Sequence, residues 1–179
     1  MQQKEEIEAQ RDEIEHQKEI IEEANREVMD SIRYAKRIQS AVLPSKDFLD
    51  NLSHEHFIVF KPKDIVSGDF YWMTKRNEWT IIVAADCTGH GVPGAFMSML
   101  GISFLNEIIA KPQVQHAGQA LDELRALIIK SLQQKGVPGE QKDGMDLVLV
   151  AINEKTMTLE FAGANNSMFH IRNGELTEY

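Results

Sequence analysis

The sequence predicts an α+β fold in which helices flank two antiparallel β-sheets, preceded by a long helix of coiled-coil character. Three observations predict it. The first 43 of 179 residues contain no proline and no glycine, and place Ile7, Ile14, Ile21 and Val28 at seven-residue intervals. Short apolar runs with strand composition follow, then two helical patterns, then further strands. The last strands are joined by short turns, which suits antiparallel neighbours and not parallel βαβ units.

In chain order, residues 1–43 form the long helix, and Ile32, Ala35 and Val42 continue its 3–4 spacing. The second seam position is polar, with Gln10, Gln17 and Ala24 in one frame and Arg11, Lys18 and Asn25 in the other. A weak dimeric coiled coil and a solvated single helix both remain open on this pattern. From Val28 to Val42 the apolar face broadens enough to pack on the domain as well. Pro44 ends the helix, and residues 44–53 read as a linker. Strands are expected at 56–63, 69–76 and 79–86, with a turn at Arg76-Asn77. A glycine-rich loop covers 87–94, an apolar helix 95–110 and a second helix 117–134, with Leu121, Leu124, Leu127, Ile128 and Leu132 on one face. A polar loop leads to strands at 146–153, 157–164 and 167–174. The organisation is thus a linker helix, 1–43, and one globular domain, 44–179.

The net charge of −9 is uneven. The first 27 residues hold ten acids and four bases, a balance of −6, which leaves −3 for the rest. Lys36, Arg37, Lys61, Lys63, Lys75 and Arg76 are scattered without interleaved aromatics, which argues against nucleic-acid binding. The polar, acidic start is no secretory signal, and no apolar run approaches the roughly 18 residues of a membrane span. Cys87 is the single cysteine, so no internal disulfide forms. A cytoplasmic protein without direct membrane contact is expected.

Two aspartates stand out. Asp69 closes Val66-Ser67-Gly68, and Asp86 ends the apolar run Ile81–Ala85 before Cys87-Thr88-Gly89-His90-Gly91. An aspartate at the end of a buried strand is costly unless it is hydrogen-bonded or bound to a cation. Two on neighbouring strands offer hard oxygen ligands for Mg2+ or Mn2+. The plainer alternative is that Asp86 caps the turn or the helix near Gly94. A cysteine-phosphatase reading of Cys87 fails because Pro93 stands where the phosphate-holding arginine belongs. The loop 89–94 lacks the Gly-Lys-Ser/Thr ending of a nucleotide-binding P-loop. His54 and His56 read as a solvated pair, and His90 is assigned no catalytic role. Asp143 and Asp146 read as loop and strand-start residues, with Asp146 able to hydrogen-bond near the site.

The segments Ser67-Gly68-Asp69-Phe70-Tyr71-Trp72, Ala84-Ala85-Asp86-Cys87-Thr88-Gly89-His90-Gly91, Asp143-Gly144-Met145-Asp146 and Phe161-Ala162-Gly163-Ala164-Asn165-Asn166 resemble, in order and spacing, serine/threonine phosphatases of the PPM (protein phosphatase 2C) type, SpoIIE/RsbU branch. The resemblance runs from about Asp47 to Tyr179, and the helix from Asp30 to Pro44 also looks like the one that enters these domains. It implies a sandwich of two antiparallel sheets with flanking helices and a pair of Mn2+ or Mg2+ ions that activate water against a phosphoserine or phosphothreonine. By motif match, Asp86 bridges both metals, Asp69 ligates one, and the backbone carbonyl of Cys87 takes a place often filled by a glycine carbonyl. The family completes its site with two later aspartates that fall beyond Tyr179, so a C-terminally truncated domain with part of the metal site is expected. The implied substrate is a phosphorylated regulator of the anti-sigma-factor-antagonist kind, and a homodimer through the N-terminal helix is expected. The rival reading is a dimeric signalling module that binds a phosphorylated partner without hydrolysing it.

Overall fold

The computed structural model describes residues 2–52, 55–137, 139 and 142–179. Helix α1 spans Gln2–Val42 and the short α2 spans Lys46–Asp50. Strands β1 (Phe70–Arg76) and β2 (Trp79–Cys87) precede helices α3 (Gly91–Ala110) and α4 (Ala117–Ser131). Strands β3 (Met145–Asn153), β4 (Thr158–Ala164), β5 (Phe169–Arg172) and β6 (Glu175–Glu178) complete the order. The first four strands form one sheet in the order β1-β2-β3-β4, antiparallel throughout, and β5 and β6 form a separate hairpin. The expected mix of helices and antiparallel sheets, entered by a long helix, is what the chain adopts, with the helices covering the four-stranded sheet and not the hairpin.

Alternation explains the sheet. In β3, Leu147, Leu149 and Ala151 are buried while their neighbours are less so. The buried rows meet Leu105, Ile108, Leu124 and Ile128 from α3 and α4, and this seam is the core. Helix α3 is apolar on all sides because it runs through that core. It is long and apolar enough to cross a membrane, contrary to the expectation that no such run exists, yet half of it is buried within the domain. It starts at Gly91, four residues before the expected position, since Pro93 is tolerated in the first helical turn.

Several expectations are corrected by pairing. The β1–β2 ladder runs through Arg76↔Trp79, so the turn is Asn77-Glu78, with Asn77 at φ 54°. The linker carries α2, capped by Ser45, whose hydroxyl accepts from the Phe48 amide. Residues 56–63 form no strand. Phe57–Phe60 lies over the outer face of the sheet, Phe60 edge-on to Tyr71, and takes no place in a ladder; Pro62 also removes a donor. The last expected strand, 167–174, ends at Arg172. Asn173 and Gly174 both have positive φ, the geometry of a tight hairpin turn, and β6 follows.

The C-terminal part of α1 docks on the domain through a narrow face. Ile32 and Ala35 are half-buried and Gln39 is buried, whereas Val28, Met29, Tyr34, Ile38 and Val42 stay exposed. Further up, Ile7, Ile14 and Ile21 are all more than half exposed.

Candidate metal centre

Asp69 and Asp86 meet because β1 and β2 are paired in a fixed register. Phe70 pairs with Ala85, and Ala85 with Leu147; all three are buried beneath the helices. The residues one step along therefore point to the opposite face. That places Asp69 beside Asp86, and Asp146 directly across from Asp86 on the other side. Like charges opposite one another cost sheet stability, so the arrangement is not one that folding alone favours. Asp69 and Asp86 both line a cleft of about 200 Å3 with Lys63, Asp64, Ser67 and Gly68. They also border a wider hollow of about 700 Å3 along the outer sheet face.

Both aspartates are exposed, although each adjoins a buried segment. Their neighbours Ser67, Gly68, Phe70, Ala85 and Cys87 are the buried groups. Crowding by that surrounding chain still partly desolvates the Asp69 carboxyl and raises its pKa; a hydrogen bond with Asp86 and the Asp86 charge push it the same way. Two carboxyls that share a hydrogen bond compete for one proton, and a divalent cation resolves that competition by neutralising both.

The backbone around the pair is closely fitted. A Cβ on Gly68 would lie 2.7 Å from the Gly89 carbonyl oxygen and 3.3 Å from that of Cys87. A Cβ on Gly94 would lie 2.6 Å from the same Gly89 oxygen. The sequence thus needs glycine at both positions to let three chain segments touch. It also turns the Cys87 carbonyl toward the segment that carries Asp69. The Cys87 thiol is buried and pushed up to about 12, first by burial and then by the charges of Asp86 and Asp69, so it remains a protonated core group. Beyond it the loop is tied down: Thr88 N donates to Gly144 O at 2.9 Å, and Gly144 N donates to Thr88 Oγ1 at 3.1 Å.

Asp86 does not cap α3, whose N-cap position is His90. Asp146 accepts a hydrogen bond from Asn165 Nδ2 at 2.8 Å, at the edge of the acidic row. Sequence reading missed Asp64, which lies 2.9 Å from His90 Nδ1 on the rim of the cleft. No local spacing signals that contact, since the two are brought together only by the fold. His54 lies outside the described residues. Among the described residues, no three His, Cys, Asp or Glu side chains are placed to enclose a metal ion. The oxygen donors that meet in the cleft are the Asp69 and Asp86 carboxylates, whose hardness fits Mg2+ or Mn2+.

An antiparallel sheet backed by two helices, with paired aspartates at one end, is a protein phosphatase 2C-like fold. The family described as Stage II sporulation protein E (SpoIIE) matches residues 77–179, more than half of the chain. The chain belongs to the SpoIIE family. Among solved structures, the SiaA-PP2C domain of Pseudomonas aeruginosa is similar at 32% identity and a TM-score of 0.74, over 87% of this chain and 61% of that one. A Stage II sporulation E family protein from Thermanaerovibrio acidaminovorans is similar at 17% identity and a TM-score of 0.47, over 60% of this chain and 51% of that one. Among curated proteins, none matches.

Proposed function

We propose that this chain carries part of the site of a Mn2+- or Mg2+-dependent serine/threonine protein phosphatase. The observation that carries the reading is the meeting of the Asp69 and Asp86 carboxyls in one cleft. Asp69 and Asp86 would hold the metal by their carboxylates and Cys87 by its backbone oxygen. When bound, such ions make water nucleophilic at neutral pH and neutralise charge on a phosphoryl group. The chain's own part is to fix the carboxylates at the end of a rigid sheet and to leave the cleft open for a phosphoserine or phosphothreonine. The substrate we propose, on the motif resemblance, is a phosphorylated regulator of the anti-sigma-factor-antagonist kind.

Calorimetric titration with Mn2+ tests the centre. The wild-type chain is expected to bind and Asp86→Asn to lose binding; identical titrations would reject the site. Phosphate release from a phosphoserine protein, measured on a chain extended through the family's two later aspartates, tests catalysis. Tight binding of the phosphoprotein without release would favour the non-hydrolysing module.

Homodimerisation through α1 is part of the proposal. Its support is the exposed row Ile7, Ile14, Ile21 and Val28. Gln10→Leu with Gln17→Leu is expected to tighten the dimer in sedimentation. An unchanged monomer would leave α1 a solvated helix, held by pairs such as Lys18–Glu22.

A further inference from the structure

Gln39 is the one buried polar side chain on α1 among the described residues, and its whole amide is engaged. Its Nε2 donates to Ser67 O at 2.6 Å and to Ser98 Oγ at 2.8 Å. Its Oε1 accepts from Ser67 N at 3.1 Å. The side chain therefore grips both backbone groups of one residue, as a neighbouring strand would. Ser98, fully buried on α3, closes the ring: its hydroxyl lies 3.2 Å from Ser67 O and 2.9 Å from Ala95 O. Val66, Ser67 and Gly68 form a buried strip with no ladder of their own, since β1 begins only at Phe70. Asp69 stands at the end of that strip. A helix residue 28 positions upstream thus supplies the hydrogen bonds that a sheet would otherwise provide.

We propose that Gln39 is a positioning residue for the metal centre: by clasping Ser67 it fixes the strip that sets the Asp69 carboxylate beside Asp86. The inference rests on the reading of Asp69 and Asp86 as metal ligands. Gly68, wedged against the Gly89 and Cys87 carbonyls, transmits the restraint, because it has no room to yield. The amide is also the right group for the task. A buried apolar side chain of the same size would fill the space and leave the Ser67 N–H without a partner, which the segment would relieve by shifting. Outer-shell partners of metal ligands commonly change affinity about 10- to 100-fold when removed.

The test compares Gln39→Met, Ser98→Ala, Leu43→Ala and Asp86→Asn in the full chain, by Mn2+ affinity and by amide hydrogen exchange without metal. Leu43→Ala is the control: it loosens α1 against the core one turn further along without touching Ser67. Gln39→Met is expected to weaken Mn2+ binding about 10-fold and to speed exchange at Ser67, Gly68 and Asp69 selectively. Ser98→Ala, which keeps the Ser67 clasp, is expected to weaken binding about two- to threefold and keeps the question open to test if Gln39→Met does not fold. Leu43→Ala is expected to leave affinity unchanged. If Asp86→Asn loses the metal while Gln39→Met and Ser98→Ala bind like Leu43→Ala, this inference is overturned and the proposed site stands. If Asp86→Asn binds like wild type, the site itself is wrong and the inference falls with it.

Discussion

The four-stranded sheet and the β5–β6 hairpin are built from similar sequence and meet different fates. In β3 every second residue from Leu147 is buried, while β5 and β6 bury none. Phe169, Ile171 and Leu176 are all more than half exposed. The contrast comes from what lies over each. Helices α3 and α4 seal the sheet, whereas the hairpin is held by its own ladder and its Asn173-Gly174 turn. Apolar alternation makes a surface fit for burial, but the energy arrives only when another element covers it. Asp86 and Asp146 belong to the sealed sheet, and Asp69 adjoins its first strand.

The largest expected effect falls in the sealed region. Leu149→Ala removes a side chain at 1% exposure and should cost about 2–5 kcal/mol in denaturant unfolding. A loss under about 1 kcal/mol would show that the sheet is no better packed than the hairpin. Next comes Gly94→Ala, which forces a methyl group against the Gly89 carbonyl and should cost about 1–3 kcal/mol by the same measurement. A neutral result would mean that the loop after Asp86 yields freely and is not a fixed frame.

The acidic row gives a smaller effect of opposite sign. Asp69 holds its proton more tightly in the folded chain than the ordinary aspartate value of 3.8. The folded state therefore binds more protons, so this group's contribution is fully present below that value and is lost as pH rises through the raised folded value. Asp86 is the charge that faces it across the strand ends. Asp69→Asn, with metal chelated, should remove this fall and raise the melting temperature near neutral pH by about 1–2 °C, since the group is exposed and screened. A lower melting temperature would place Asp69 in a structural role. The smallest effect is expected in the hairpin, where Ile171→Ser should change stability by less than about 0.5 kcal/mol. A cost as large as that of Leu149→Ala would show that a partner covers the hairpin in solution.

The sequence by itself determined the long helix, because a proline-free seven-residue pattern is local information. It determined strands and helices within a few residues, because alternation and 3–4 spacing are local as well. It also singled out Asp69 and Asp86, because carboxylates closing apolar or glycine-flanked segments are visible in one dimension. Tertiary structure alone decided that residues 56–63 form no strand, because a strand exists only where another lies beside it. It alone placed Asp146 across from Asp86 and Asp64 against His90, through register and a loop crossing that no spacing encodes. The Asn173-Gly174 pair was a legible signal for β6, since both residues suit positive φ. Gln39 was not legible. On a polar helix one glutamine reads like any other, and only docking against Ser67 and Ser98 takes it out of water, where each unmet hydrogen bond becomes costly.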